Sequence, residues 1–284
     1  MTTVKELEQL LFTAFPAADA IPDDRIGLLV GDAEAAVQGI AIALDAKVAT
    51  IEAAAAQGCS VLVAHHPPFW YPPTAVLKGG PLESATIYRA AELGVSLITM
   101  HTNLDCAPVA KEMILGPAGF SYTAPLSLPK ETEAELITVG RTVSTPEALA
   151  ATPELMPSMG QLGVPTEQES VSLGQLVSSY KEVFGAVAKV WGDPNKAIKT
   201  LACCSGGGGA LIQRVINTDA DCYVTGEVAY HEALALAGAD VALIELGHDR
   251  SELPYRYYLY NALLALGAEE STLCVLDPTA SWWQ

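Results

Sequence analysis

Basic side chains are scarce in this sequence. The 284 residues include 15 lysines and arginines against 33 aspartates and glutamates, which gives a formal net charge of −18. A surface of that sign repels a phosphate backbone, so we expect no direct nucleic-acid partner. An anionic ligand would need local positive charge, and a bound metal ion could supply it.

Long hydrophobic runs are also missing. No apolar stretch approaches the roughly 18 residues that a membrane-spanning helix needs, so the sequence predicts no membrane contact. The opening segment MTTVKELEQLLFTAF contains acidic side chains and no cleavage site of small residues. It predicts an amphipathic helix, not a signal peptide, and we therefore expect a cytoplasmic protein.

Paired cysteines are a third absence. None of the six cysteines has Cys-x-x-Cys spacing, and the neighbours Cys203 and Cys204 have a poor geometry for a disulfide. We expect reduced thiols that pack as small hydrophobic side chains. This prediction applies to Cys59, Cys106, Cys203, Cys204, Cys222 and Cys274.

What the chain does have is an alternation of short apolar runs and helical patterns. Half of the residues are hydrophobic and 17% are charged, as in a globular protein. The alternation predicts an α/β fold. The predicted helices cover residues 3–15, 46–57, 83–93, 146–155, 172–185, 209–217, 229–237 and 253–266. The clearest predicted strands are 60–66, 95–102, 134–142, 198–205, 221–226 and 241–248.

Two parts of the chain share a layout. Each runs strand, polar turn, helix, small residue, strand and polar turn, once over 58–105 and once over 219–252. Polar residues follow the strands in both, which suggests a duplicated α/β unit with a site where strand ends converge. The Pro- and Gly-rich stretch 115–135 is the candidate domain crossing, and 152–170 is interpreted as a long surface loop.

Adjacent histidines end the first of these strands. His65 and His66 follow the apolar run SVLVA, and successive side chains on a strand point to opposite faces. The two rings could therefore address two ions a few ångströms apart. Pro67 and Pro68 end the strand and stiffen the backbone behind them. The alternative is a pair of loop histidines satisfied by hydrogen bonds.

A second polar cluster, MHTNLDCAP, follows the apolar run VSLIT of the predicted strand 95–102. Its Asp105 could bridge two divalent ions or orient a ligating ring, and His101 precedes it by four residues. The alternative is a polar turn in which Asp105 caps a helix.

The third cluster is ELGHDRSELP. His248 and Glu252 are four residues apart, but Pro254 predicts that the helix begins near Ser251 and that His248 lies in the preceding loop. Chelation would then come from a turn, and the alternative is a salt bridge with a helix cap. Together the three clusters offer five candidate ligands of imidazole and carboxylate type, enough for two ions of Zn, Mn, Fe or Co at a catalytic site. They are His65, His66, Asp105, His248 and Glu252.

A glycine run follows the strand 198–205. Gly206, Gly207, Gly208 and Gly209 could let the backbone approach a ligand, or could form a tight strand-to-helix turn. Further on, the segment 225–231 offers side chains that could line a cleft as acid, base or hydrogen-bond donor. These are Thr225, Glu227 and His231.

The segments AHHPPFW, HTNLD, CSGGGG, DCYVTGEVAYHEAL and GHDRSE together resemble the GTP cyclohydrolase I type 2 homologue family, also called the Nif-three-like dinuclear metal-centre proteins. The family's Trp-Asp-Asn followed by Gly-Leu corresponds here only to Asp24 and the pair Gly27-Leu28. The resemblance implies that His101 and His231 are cleft residues more than ligands. It implies metal ligands at His65, His66, Asp105, His248 and Glu252.

The resemblance also implies an architecture. The expected fold is two intertwined α/β domains with a duplicated motif and mixed sheets covered by helices. Residues 1–124 plus 245–284 would form the first domain, and 125–244 the second. Family members form hexameric rings with the metals facing an internal cavity, so a homohexamer is expected.

The resulting functional hypothesis is a metal-dependent hydrolase of the cyclohydrolase type. Water activated by a metal would attack a ring carbon of a purine nucleotide such as GTP, or a related phosphate compound, while His101 or His231 transfers protons. The glycine loop and Thr225 would hold the substrate, and Glu227 would act beside them. The alternative hypothesis is a non-enzymatic metal carrier or adaptor.

Overall fold

The computed structural model describes residues 3–127, 157–185, 187 and 189–278. The chain forms two compact units: unit 1 comprises 1–104 and 253–284, and unit 2 comprises 105–252. The chain therefore passes between the units at Leu104–Asp105 and at Glu252–Leu253. The sequence predicted the two crossings near residues 124 and 244.

Unit 1 contains one five-stranded sheet. Its strands are β1 (Gly27–Val30), β2 (Ile40–Asp45), β3 (Val61–His66), β4 (Ser96–Thr99) and β13 (Leu273–Val275). The order is β1-β4-β3-β2-β13, with β13, β2, β3 and β4 parallel and β1 antiparallel at one edge. The carboxyl ends of β2, β3 and β4 therefore meet at one edge, where Asp45 pairs in register with His66.

The helices of unit 1 cover this sheet. They are α1 (Val4–Ala14), α2 (Val48–Ala56), α3 (Leu82–Leu93), α4 (Thr102–Asp105, whose last residue belongs to unit 2) and α10 (Tyr255–Ala265). α1 begins at a capping box in which Thr3 and Glu6 exchange hydrogen bonds. β2 and β3 are almost wholly buried, as expected for parallel strands with helices on both faces.

Unit 2 is built on a six-stranded sheet of order β5-β6-β10-β11-β12-β8. β10, β11 and β12 are parallel, and the remaining pairs are antiparallel. A two-stranded ribbon pairs β7 with β9. The strands are β5 (Phe120–Ser127), β6 (Met159–Pro165), β7 (Val171–Ser172), β8 (Lys189–Trp191), β9 (Ala197–Ile198), β10 (Leu201–Gly207), β11 (Cys222–Glu227) and β12 (Ala242–Glu245). The helices are α5 (Glu112–Leu115), α6 (Leu173–Phe184), α7 (Ile212–Ile216), α8 (Tyr230–Gly238) and α9 (His248–Glu252).

The α/β prediction is confirmed, and each predicted helix or strand within the described residues overlaps an observed one. The strands β1, β2, β5, β6, β8 and β13 and the short helices α4, α5 and α9 were not predicted as such. The predicted helix 146–155 and strand 134–142 lie outside the described residues. The surface loop predicted over 152–170 is wrong where β6 runs between β5 and β10. Gly163 hid this strand from the pattern, because a Cβ there would lie 2.8 Å from Leu115 and no side chain fits.

The described residues contain no disulfide: five of the six cysteines are buried and Cys274 is half-buried. Burial raises the pKa of the Cys203 and Cys222 thiols, consistent with their predicted role as inert packing groups. Within the described ranges, no helix is both long enough and apolar enough to span a bilayer.

Candidate metal centre

Three imidazoles lie together where β3 and β4 end in unit 1; we call His65, His66 and His101 the histidine edge. The ring centroid of His65 lies 5.0 Å from that of His66 and 5.1 Å from that of His101. The centroids of His66 and His101 are 6.1 Å apart. His65 is fully buried and its Nδ1 bonds to the Met100 carbonyl at 3.0 Å. A carbonyl only accepts, so Nδ1 carries the proton and the lone pair of this ring is on Nε2.

His66 is oriented by a carboxylate from the neighbouring strand. Its Nδ1 lies 2.8 Å from Asp45 Oδ1, and Lys47 Nζ lies 3.3 Å from Oδ2 of the same carboxylate. The hydrogen bond from His66 lowers the pKa of Asp45 against the opposing effect of burial. An ionised Asp45 accepts a hydrogen bond from the Nδ1–H of His66, which again leaves the lone pair on Nε2.

His101 has the same arrangement with Asp24. Its Nδ1 lies 2.8 Å and 3.0 Å from the two Asp24 oxygens, and Thr102 donates to this carboxylate through its backbone N–H and its hydroxyl. Burial opposes ionisation, but the hydrogen bonds and the charge of His101 outweigh it and lower the pKa of Asp24 to about 2. Asp24 is therefore a fixed anion behind His101 at neutral pH.

Aromatic rings border the histidine edge. The Tyr255 ring lies 4.6 Å from His65, and the edge of Trp70 meets His101 at 5.1 Å. Apolar surroundings of this kind limit the access of water and strengthen the electrostatic interactions of the imidazoles.

Glu227, His248 and Glu252 end or follow β11 and β12 in unit 2, and Asp105 is hydrogen-bonded to Ser205 of β10. We call Asp105, Glu227, His248 and Glu252 the carboxylate edge. His248 Nε2 lies 3.3 Å from Glu252 Oε2, and His248 Nδ1 lies 2.9 Å from Glu227 Oε1. Asp105 and Glu252 are 8% and 4% exposed, and Ser205 Oγ donates to Asp105 at 3.1 Å.

The predicted loop position of His248 is wrong, because His248 begins α9 and shares one helical turn with Glu252. Pro254 does not exclude this helix, since it is the N-cap of the next helix, α10. A five-residue helix, α9, precedes the eleven-residue helix α10, whereas the sequence pattern predicted one helix that begins near Ser251.

The glycine run forms the floor of the carboxylate edge. Gly206 has φ +60°, and a Cβ there would overlap Glu252 Oε1. Its N–H donates to Ser251 Oγ at 2.9 Å, and its carbonyl accepts from Thr225 Oγ1 at 3.3 Å. A Cβ at Gly208 would overlap Thr225 Oγ1. Each of these glycines is required by close packing, and the substrate-binding role of Gly206, Gly207, Gly208, Gly209 and Thr225 stays a prediction.

The three residues predicted to act in catalysis lie in different surroundings. His101 belongs to the histidine edge, whereas Glu227 orients His248. His231 is exposed in the first turn of α8, with its ring 5.7 Å from that of Tyr230. Their catalytic roles stay predictions.

The two carboxylates that orient rings of the histidine edge were not assigned to the site from the sequence. The only sequence feature that could have indicated Asp45 is its position at the end of an apolar run, because the last residues of parallel strands lie at one edge of the sheet. Asp24 lies 77 residues from His101 in the chain. The imidazoles and carboxylates of both edges include groups that could hold a metal ion.

The sequence profile of the DUF34/NIF3 family (NGG1p interacting factor 3) matches residues 2–276. The chain belongs to this family. The resemblance stated from the sequence is thereby confirmed. Two relatives carry the name GTP cyclohydrolase 1 type 2 homolog. The protein of Clostridium acetobutylicum is 24% identical over 253 residues, covering 88% of this chain and 85% of the relative. The protein of Campylobacter jejuni is 27% identical over 236 residues, covering 83% and 80%.

Solved structures of the family share the fold. A Bacillus cereus protein related to NIF3 superposes with a TM-score of 0.80 at 19% identity, covering 99% of both chains. A hypothetical protein of Staphylococcus aureus superposes with a TM-score of 0.79 at 20% identity, covering 100% of this chain and 99% of the other. At such identities the likeness shows the fold of the family and nothing about activity.

Proposed function

We propose that this protein is a metal-dependent hydrolase with a dinuclear centre. One observation carries the proposal: in His65, His66, His101 and His248, Nδ1 is bonded to a carbonyl or carboxylate oxygen. Histidines that bind metals through Nε2 are held in this way by a partner on the other nitrogen. The proposed ligands are His65, His66, Asp105, His248 and Glu252.

The donor set supports a catalytic centre. Imidazole nitrogens and carboxylate oxygens, without thiolate, suit Zn, Mn, Fe or Co and differ from the cysteine-rich sets of structural zinc. The three nitrogens and two carboxylates are too few to saturate two ions, so positions remain for water and substrate. The first and last residues of unit 2, Asp105 and Glu252, are both proposed ligands.

A pair of divalent cations would supply Lewis-acid activation of water and of a substrate oxygen. The protein residues would supply orientation and proton transfer. His101 presents Nε2 as a proton acceptor, and Asp24 at its Nδ1 stabilises the resulting imidazolium. Glu227 fixes the ring of His248. The proposed substrate class is a purine nucleotide or a related phosphate compound, which the name of the relatives supports.

A carrier or adaptor is the second candidate, and it is favoured by the exposure of one part of the carboxylate edge. The side chains of His248 and Glu227 are 38% and 63% exposed. A ligand accessible to solvent allows an ion to be passed on, whereas a hydrolase only needs to retain it.

Metal content and turnover test the proposal together. Elemental analysis of the purified protein is expected to give about two ions per chain, and His65→Ala and Glu252→Ala should each lose at least one. The matched control is His231→Ala, which removes an exposed histidine and should leave the metal content unchanged. The metal-loaded proteins are then incubated with a panel of nucleotides and phosphoesters.

Turnover by the wild type and by His231→Ala, lost in the two ligand variants, would support the hydrolase with His231 outside the chemistry. Tight, transferable metal without turnover would support the carrier. Wild-type protein that retains less than one ion per several chains would contradict both.

A further inference from the structure

A cavity beside the histidine edge contains none of the proposed metal ligands or proton-transfer groups. It has a volume of about 650 Å³ and is lined by Asp23, Arg25, Trp70, Tyr71 and Glu83, all in unit 1. This volume is sufficient for a small organic molecule.

Residues that line the cavity also contact Asp24 and His101. Arg25 Nε donates to the Trp70 carbonyl at 2.9 Å, and the Arg25 backbone N–H donates to Asp24 Oδ1 at 2.8 Å. Asp24 in turn bonds His101, and the Trp70 ring meets His101 edge-on. A molecule lying against Trp70 would therefore be next to an imidazole of the histidine edge.

Two large aromatic side chains are presented to solvent at this cavity. Trp70 is 53% exposed and Tyr71 is 84% exposed, although burial of either ring would be favourable. Proline pairs flank them at 67–68 and 72–73 and restrict the backbone on both sides. Exposed rings on a stiff backbone form a platform that needs little ordering when a planar molecule stacks on it.

The charged side chains define what would stack there. Asp23 and Glu83 are exposed carboxylates that accept hydrogen bonds, and Arg25 contributes a guanidinium to the lining. Two carboxylates against one guanidinium disfavour a free anion, and the carboxylates can accept hydrogen bonds from the N–H donors of a planar ring. Base stacking on aromatic side chains tolerates any ring, so the carboxylates would provide the discrimination.

We propose that this cavity binds the planar base of a nitrogen heterocycle with adjacent N–H donors, of the guanine type. The ring stacks on Trp70 and Tyr71, and its N–H edge faces Asp23 and Glu83. The inference rests on the proposed function only in that it places the base of that substrate beside His101. Binding of the base itself requires no metal.

Titration calorimetry with guanosine tests this directly, because guanosine has the base and lacks the phosphates. It is carried out on the full-length protein as purified and again after chelator treatment. Trp70→Ala is expected to weaken binding about tenfold, within the range that base–aromatic stacking supplies. Trp70→Phe should restore most of it, and Glu83→Gln should weaken guanosine more than inosine, which lacks the exocyclic amino group.

Tyr230→Ala is the control, since it removes an exposed aromatic ring from unit 2. Guanosine binding that is absent, or unchanged in Trp70→Ala and Tyr71→Ala, would overturn the inference. So would a change of sedimentation in Trp70→Ala with unchanged binding, which would assign the rings to contacts between copies. Metal-independent guanosine binding without any nucleotide turnover would leave the inference standing and reject the proposed hydrolase.

Discussion

The histidine edge and the carboxylate edge occupy equivalent positions in their sheets but differ in what they contain and in how they are held. The residues of the histidine edge end or follow β3 and β4 in unit 1, and Glu227, His248 and Glu252 end or follow β11 and β12 in unit 2. The histidine edge offers nitrogen and is fixed by hydrogen bonds from its rings, to carboxylates for His66 and His101 and to a backbone carbonyl for His65. The carboxylate edge offers mainly oxygen and rests on a glycine floor that has no space for a Cβ at Gly206 or Gly208.

The comparison shows that one chain layout can support a rigid site by two physical means. Side-chain hydrogen bonds tolerate small shifts of the backbone, whereas direct backbone contact tolerates none. The two edges should therefore fail differently when they are altered.

The largest effect is expected where Gly226 of β11 packs against the glycine floor at Gly206. In Gly226→Ala the new Cβ would overlap the Gly206 carbonyl and lie 2.8 Å from Ser251 Oγ and 2.9 Å from His248 Cα. Because backbone cannot yield as a flexible side chain does, we expect a loss of about 3 kcal/mol in the free energy of unfolding. Urea denaturation measures it.

Gly238→Ala is the matched control. Gly238 ends α8, and a Cβ added there would have no neighbouring atom within 4 Å, so alanine should stabilise the protein by about 0.5 kcal/mol. Equal, small effects of the two alanines would mean that the floor is not closely packed and would remove the contrast between the edges.

An intermediate effect is expected from the carboxylates that orient the rings. Asp45→Ala and Glu227→Ala should each weaken metal affinity by about ten- to a hundredfold, because the ring of His66 or His248 loses its anchor. The Asp45 side chain is 40% exposed and that of Glu227 is 63% exposed, so the loss should be larger for Asp45. Competition with a chromogenic chelator gives both affinities.

Glu182→Ala serves as the control for net charge, since it removes an exposed carboxylate from α6. If it weakens metal binding as much as Asp45→Ala does, the effect comes from overall charge and not from ring orientation. If Glu227→Ala weakens metal affinity more than Asp45→Ala does, the expectation that the less exposed carboxylate matters more is wrong.

The smallest effect concerns acid sensitivity of the histidine edge in metal-free protein. The pKa of Asp24 is lowered from 3.8 to about 2, so its ionised form stabilises the folded state above pH 4. That stabilisation is lost as the pH falls through the folded pKa. The difference in unfolding free energy between wild type and Asp24→Asn should therefore be constant near neutral pH and shrink from about pH 4 towards pH 2. A difference independent of pH across this range would show that Asp24 acts by shape alone.

Much of the fold was readable from the sequence because its central strands are continuous apolar runs. β3, β10, β11 and β12 carry that pattern, and α1 carries its own capping box. β8 and β13 have three residues each and lie at sheet edges, half-exposed, so no periodicity marks them. β6 was missed because its glycines, which the neighbouring side chains require, are typical of loops.

The sequence predicted the imidazole rings of the candidate site but not the carboxylates that orient them. His65 and His66 are adjacent and follow a strand, so they mark a site by local pattern alone. The pairs His66–Asp45 and His101–Asp24 span 21 and 77 residues, and no local spacing encodes them. They follow from sheet register and tertiary contact, which only the folded chain supplies.

The Nδ1 bonding of His65 and His66 has a kinetic consequence. Each of these two rings holds its proton on Nδ1 and presents Nε2 to an incoming cation, so loading requires neither ring rotation nor a tautomer exchange. The slow step is then the cation's own release of hydration waters. Mg²⁺, which dehydrates reluctantly, should load more slowly than the softer transition ions, whatever their final affinities.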